Sequence, residues 1–178
     1  MKLVPEAEAT FRLQDYSKRP AIADVELVEL RRFRDDGGSM TELARLDGGK
    51  VAGIHGFVAA QVNHSTVEPG AVKAFHVHRR QSDVWFVPPR DRLLLVLVDV
   101  REGSPTMGTR MRILLGDGVS RLVRIPPGVA HGCRNLGGEA ATIVYFTDLH
   151  FSEDPGEGDE GRLPWDFAGA EIWEIPKE

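Results

Sequence analysis

The stretch Gly70-Ala71-Val72-Lys73-Ala74-Phe75-His76-Val77-His78-Arg79-Arg80-Gln81-Ser82-Asp83 decides how the rest of the chain is read. Side chains of an extended strand alternate between its faces, so His76 and His78 project from one face, and a turn across residues 79–82 returns Asp83 beside them. A second stretch, Pro126-Pro127-Gly128-Val129-Ala130-His131-Gly132-Cys133-Arg134-Asn135, offers a third imidazole after a Pro-Gly turn. Neutral imidazole and carboxylate suit Mn, Fe, Ni and Zn, which makes His76, His78, Asp83 and His131 a candidate ligand set for a divalent metal. The competing reading is a pair of histidines that merely line a polar barrel mouth.

Working outward, short apolar runs separated by Gly, Pro or charged turns predict strands over residues 22–30, 40–46, 59–63, 72–76, 83–87, 92–99, 111–115, 121–125, 132–135 and 141–147. The glutamates in 22–30 leave a helix open there. Leu93-Leu94-Leu95-Val96-Leu97-Val98 is apolar on both faces, as a central strand between two layers is. Short strands at regular spacing argue for an all-β fold, an antiparallel sandwich or barrel. Residues 1–21 are expected as an N-terminal arm, 22–151 as the barrel domain and 152–178 as an acidic loop with a C-terminal tail. Glu153, Asp154, Glu157, Asp159 and Glu160 cannot bury together, which predicts a mobile surface loop. Beyond it, Leu163-Pro164-Trp165 and Ile172-Trp173-Glu174-Ile175 supply apolar anchors that dock the tail on the barrel or on a partner subunit.

Composition narrows the partners. With 22 basic and 27 acidic residues and a net charge of −5, the chain has no electrostatic footprint for nucleic acid. Cys133 is the only cysteine, so no internal disulfide is possible and a reducing compartment suits the chain. The N-terminal residues lack an apolar signal core and the longest aliphatic run is too short for a bilayer, so a cytoplasmic protein without a membrane partner is expected. Edge strands of an open barrel need cover, and the arm and tail are long enough to give it across a two-fold axis, which predicts a homodimer.

The two quoted stretches resemble the paired motifs of the cupin superfamily. Gly70, His76, His78 and Asp83 follow the first, with Asp in place of the usual Glu and Arg90 in place of a Gly. Pro126, Gly128, His131 and Asn135 follow the second. A closer resemblance, to the dTDP-4-dehydrorhamnose 3,5-epimerase family within that superfamily, rests on Ile22-Ala23-Asp24-Val25-Glu26-Leu27, Gln61-Val62-Asn63-His64-Ser65, Val98-Asp99-Val100-Arg101, Ser104-Pro105-Thr106-Met107-Gly108 and Ile125-Pro126-Pro127-Gly128-Val129-Ala130-His131-Gly132. It implies a jelly-roll barrel that dimerises and epimerises a 4-keto sugar on a nucleotide without metal. It also implies His76 as catalytic base, Tyr145 as acid when one extra residue is allowed before it, and Gln61, Asn63, Lys73 and Glu42 at the substrate.

The chain departs from that family at several of these positions. Asp83 stands where the family has a Lys able to stabilise an enolate oxygen, Gly37-Gly38 where it has Arg-Gly near the phosphates, and Lys73 where it has Arg. The family's Asp that orients the His belongs to a further C-terminal segment with no counterpart up to Glu178, so His76 is expected without a partner and the family's own reaction as absent or slow.

Two functions follow, with a third beside them. One is an epimerase or isomerase of a keto sugar, nucleotide-linked or not, with His76 and Tyr145 as base and acid and no cofactor. The other is a metal cupin with His76, His78, Asp83 and His131 as ligands, acting as a metal-dependent isomerase or oxygenase. A non-catalytic barrel that binds a sugar or another small molecule is the third. The first two exclude each other at His76, because a metal-bound imidazole has no lone pair left to accept a proton.

Overall fold

The computed structural model describes residues 1–13, 20–51, 53–154 and 156–176. A short helix α1 (Pro5–Thr10) in the N-terminal arm buries no residue. The strands follow as β1 (Glu26–Glu29), β2 (Arg32–Asp35), β3 (Gly38–Thr41), β4 (Leu46–Asp47), β5 (Lys50–Val51), β6 (Gln61–Val67) and β7 (Val72–Val77). After them come β8 (Asp83–Phe86), β9 (Arg92–Asp99), β10 (Arg110–Gly116), β11 (Arg121–Ile125), β12 (Val129–Asn135), β13 (Ala141–Thr147) and β14 (Gly161–Arg162), then a 3-10 turn, Ala170–Trp173. No helix among the described residues is long and apolar enough to cross a membrane.

Two five-stranded sheets, β1-β11-β8-β13-β6 and β10-β9-β12-β7-β14, carry the fold, and every pairing in them is antiparallel. They face each other as the sandwich of a jelly-roll barrel. Leu93, Leu95 and Leu97 on the inner face of β9 meet Val123 and Ile125 of β11 and Ile143 of β13 between the layers. Each fully buried Leu or Ile contributes about 1.5–3 kcal/mol relative to an exposed one, and these residues set the spacing of the sheets.

Leu93 to Val98 lies between two layers as expected, and the tail docks on this barrel, one of the two places expected for it. The strand's second face is covered by the chain's own tail: Leu94, Val96 and Val98 pack with Phe75, Ala168, Ile172 and Trp173. Trp173 is fully buried with its ring centroid 5.2 Å from that of Phe75, and Arg134 and Arg112 donate to the carbonyls of Trp173 and Glu174, each at 2.7 Å. The other sheet is covered likewise, since Val84, Phe86, Leu122 and Phe146 pack under Val51, Ile54 and Phe57.

The expected strands over residues 92–99, 121–125 and 141–147 keep their limits, and residues 22–30 contain β1 rather than a helix. The one expected over 40–46 is absent. Gly38 to Thr41 instead pairs with β2 as a separate hairpin, which leaves Met40 and Phe33 exposed. The acidic segment, expected as a mobile loop, is anchored to the barrel at its C-terminal end. The Asp159 carboxylate accepts the backbone amides of Arg79, Arg80 and Gln81 at 2.8–3.1 Å, and Gly161 and Arg162 pair with Val77 and His76.

Candidate active site

The pocket between the sheets is lined by side chains from both. Asn63 of β6, Trp85 of β8 and Tyr145 of β13 stand side by side in one row of the first sheet, because Tyr145 pairs with Asn63 on one side and Trp85 on the other. Gln61, Asp83 and Thr147 form the next row. From the second sheet, His76 of β7 and His131 of β12 are direct cross-strand partners with rings 5.8 Å apart, and His78 lies just past the end of β7. Gly132 allows this approach, since a Cβ on it would collide with Ala74 of β7. The Gly128 amide donates to the His78 carbonyl at 2.7 Å and locks the two histidine stretches together. The cavity encloses about 110 Å³.

His76 does not join the other proposed metal ligands. Its Nδ1 pairs with Glu160, brought to its edge by β14. A carboxylate only accepts, so Nδ1 donates, and the lone pair of the neutral ring lies on Nε2. The His76 hydrogen bond foremost holds the Glu160 carboxyl below its ordinary value against partial burial. His76 therefore has the partner that the sequence reading denied it. Glu160 was hidden among five similar acids, and β14 is too short for any alternation to show.

Asp83 is buried opposite His131 and His78. Its Oδ2 accepts from Trp85 Nε1 at 3.1 Å and its Oδ1 from Gln81 Nε2 at 2.8 Å. Burial pushes its carboxyl up, but His131, His78 and Trp85 together outweigh that and leave it below the usual carboxylate range. Tyr145 is raised by burial first, then by the negative charges of Asp83 and Glu160, so at neutral pH its phenol keeps its proton and can donate it.

The other expected residues divide. Gln61, Asn63 and Lys73 line the pocket, with Lys73 exposed and its Nζ 2.6 Å from the Thr66 carbonyl. Glu42 does not reach it: the residue follows the self-paired β2–β3 hairpin, is exposed and bonds Arg45 at 2.9 Å. His64 faces away from the pocket, and His55 is exposed beside Glu26. Cys133 lines the wall as an inert thiol, pushed up to about 12 by burial. The Ser-Pro-Thr-Met-Gly stretch is structural, because Ser104 and Thr106 donate their hydroxyls to Asp99 Oδ2 at 2.6 and 2.7 Å. Gln81, Phe151 and Glu160 line the pocket without having been singled out for it.

Comparison with known proteins agrees with this geometry. The family model described as dTDP-4-dehydrorhamnose 3,5-epimerase matches residues 19–168. The spore coat polysaccharide biosynthesis protein SpsL of Bacillus subtilis is 39% identical over 145 residues, 82% of this chain and 91% of that protein. The probable low-salt glycan biosynthesis epimerase Agl13 of Haloferax volcanii is 32% identical over 148 residues, covering 83% and 90%. Among solved structures, dTDP-4-dehydrorhamnose 3,5-epimerase from Bacillus anthracis with TDP and PPi bound superposes with a TM-score of 0.70 at 27% identity, over 86% of this chain and 87% of that one. With the jelly-roll sandwich and most of its length matched, this chain belongs to the dTDP-4-dehydrorhamnose 3,5-epimerase family.

Proposed function

We propose that this pocket epimerises a keto sugar carried on a nucleotide diphosphate, with His76 as base and Tyr145 as acid. The observation that carries the reading is their placement: the His76–Glu160 pair and the Tyr145 phenol belong to opposite sheets and line one cavity. A ring between them has a proton acceptor on one side and a donor on the other, which is what inversion at carbon needs. His76 Nε2 takes the proton from the carbon beside the ketone, and the C–H electron pair moves to form the enolate. Tyr145 then protonates that carbon from the opposite side, the ketone re-forms, and solvent restores both groups. Glu160 keeps His76 in the required tautomer and stabilises its protonated form.

Gln61 and Asn63, joined by a 2.7 Å hydrogen bond at the cavity edge, are the sugar contacts in this reading, and Lys73 at the mouth is the phosphate contact. A nucleotide-linked substrate is supported by the TDP in the Bacillus anthracis relative. Of the grounds for a slow reaction, the lack of a partner for His76 has gone, while Asp83 and Gly37-Gly38 still stand. We also infer a cytoplasmic homodimer. The seven-residue edge strand β6 with exposed Val62, and exposed Leu3, Val4, Phe11 and Leu13 in the arm, are surfaces that a second copy would cover.

Incubation with dTDP-4-dehydro-6-deoxyglucose in deuterated water tests the reaction by NMR. Deuterium should enter at carbon beside the ketone, with an epimerised product. A substrate that binds and stays fully protonated over hours at micromolar enzyme would overturn the reading.

A further inference from the structure

Across the pocket from the His76–Glu160 pair, three buried groups turn potential ligand atoms toward one another. His78 Nδ1 lies 2.6 Å from the Asp159 carbonyl oxygen and His131 Nδ1 lies 3.1 Å from that of Val129. Carbonyls only accept, so each ring donates its Nδ1 proton and aims Nε2 at the third group. Both Nε2 atoms face Asp83 Oδ2, at 3.9 Å from His78 and 3.5 Å from His131. His78, Asp83 and His131 are 5, 3 and 2% exposed, and one donor atom from each lies within 4.8 Å of the other two. A buried carboxylate facing two imidazole nitrogens calls for positive charge among them, which protons on Nε2 or a metal ion in their place supply.

We propose that His78, Asp83 and His131 bind one divalent first-row ion of the zinc class, through the two Nε2 atoms and the Asp83 carboxylate, with His76 outside the set. Donors at metal distance in a tetrahedral arrangement lie about 3.4 Å apart, and the two imidazole–carboxylate separations of 3.5 and 3.9 Å are close to that. The supporting contacts are those of ligating residues: each imidazole donates its Nδ1 proton to a backbone carbonyl, and Gln81 and Trp85 hold the carboxylate. The nearest competitor for the His78 lone pair is the Gln81 amide nitrogen at 3.5 Å, the limit of a hydrogen bond. Base and metal site are thereby separated, because His76 is claimed by Glu160 and shares none of the three-residue cluster.

A consequence rests on the epimerase reading. The one permanently cationic side chain lining the cavity among the described residues is Lys73, and its ammonium is held at the Thr66 carbonyl. An enolate would otherwise form between Asp83 and Glu160. An ion on Asp83 reverses the sign of that wall and attracts the developing oxyanion.

Calorimetric titration of the chelator-stripped full chain with zinc chloride tests the site, with near-UV circular dichroism to verify folding. One ion per chain is expected. His131→Ala and Asp83→Asn should weaken binding at least about 100-fold, beyond the loss from an outer-shell partner, while His76→Ala and Glu160→Gln should stay within about 3-fold. Absence of binding by the wild type, binding unchanged in folded His131→Ala, or binding lost in folded His76→Ala would each overturn the proposal. Titration reads no catalysis, so the two readings fail separately. Deuterium exchange without zinc binding removes the metal alone, and zinc binding without exchange leaves the metal site and removes the epimerase.

Discussion

In the proposed mechanism the Glu160 carboxylate, paired with His76 Nδ1, is what makes His76 a base. Glu160→Gln keeps the shape and removes the charge, so kcat should fall about 10²-fold with little change in KM, the signature of a group acting in the transition state. The Glu160 carboxyl is held below its ordinary value, first by the His76 hydrogen bond. Its stabilising effect is therefore complete above the free glutamate value of about 4.3 and disappears only as pH falls through the lower folded value. Steady-state kinetics of the variant between pH 6 and 8 should thus show the loss at every pH; recovery of wild-type kcat anywhere in that window would remove Glu160 from the account. His76, His78, Asp83 and His131 were legible because strand alternation and a Pro-Gly turn announce themselves over a few residues. Their division into a His76–Glu160 pair and a His78–Asp83–His131 cluster was not legible, because it depends on Glu160, whose place comes from pairing between segments more than eighty residues apart.

The element that delivers Glu160 is β14, two residues long and hydrogen-bonded to the edge of β7. Gly161 makes that contact possible, since a Cβ there would stand 2.6 Å from the Val77 carbonyl oxygen. Gly161→Ala should push β14 outward and take Glu160 from His76, lowering kcat to a similar degree as Glu160→Gln while leaving the thermal midpoint within a few degrees. Wild-type activity in this variant would show that β14 does not position the carboxylate. Long strands such as β9 could be read from sequence because alternation and apolar content persist over eight residues. The tail's role was only partly readable: Trp173 and Ile172 signalled docking, but whether they met this barrel or a partner depends on the open outer face of β9. The β2–β3 hairpin escaped for the opposite reason, since its exposed residues carry no burial pattern.

At the scale of the whole molecule, two sheets are held at one end by a clamp around Asp99. Arg101 binds its carboxylate and reaches on to Asp24, and the Ser104 and Thr106 hydroxyls complete the set. Arg101 foremost, then the hydroxyls against the effect of burial, hold the Asp99 carboxyl far below its usual range. A depressed carboxyl stabilises the fold fully above the unfolded value of about 3.9 and ceases to do so as pH falls through the folded one. Asp99→Asn should cost about 3 kcal/mol at pH 7, as breaking a buried ion pair does, and its urea midpoint should fall less steeply than that of the wild type between pH 5 and 3. Equal slopes would place the acid sensitivity elsewhere. His76 of β7 and Tyr145 of β13 belong to the two opposing sheets. That opposition is the centre of the account, and solvent exchange by Tyr145→Phe in deuterated water probes it most directly. The account predicts that this variant still washes deuterium into the substrate beside the ketone, through His76, but yields at least about 10²-fold less inverted product, while His76→Ala does neither. Inversion by Tyr145→Phe at the wild-type rate, or deuterium uptake by His76→Ala, would contradict it.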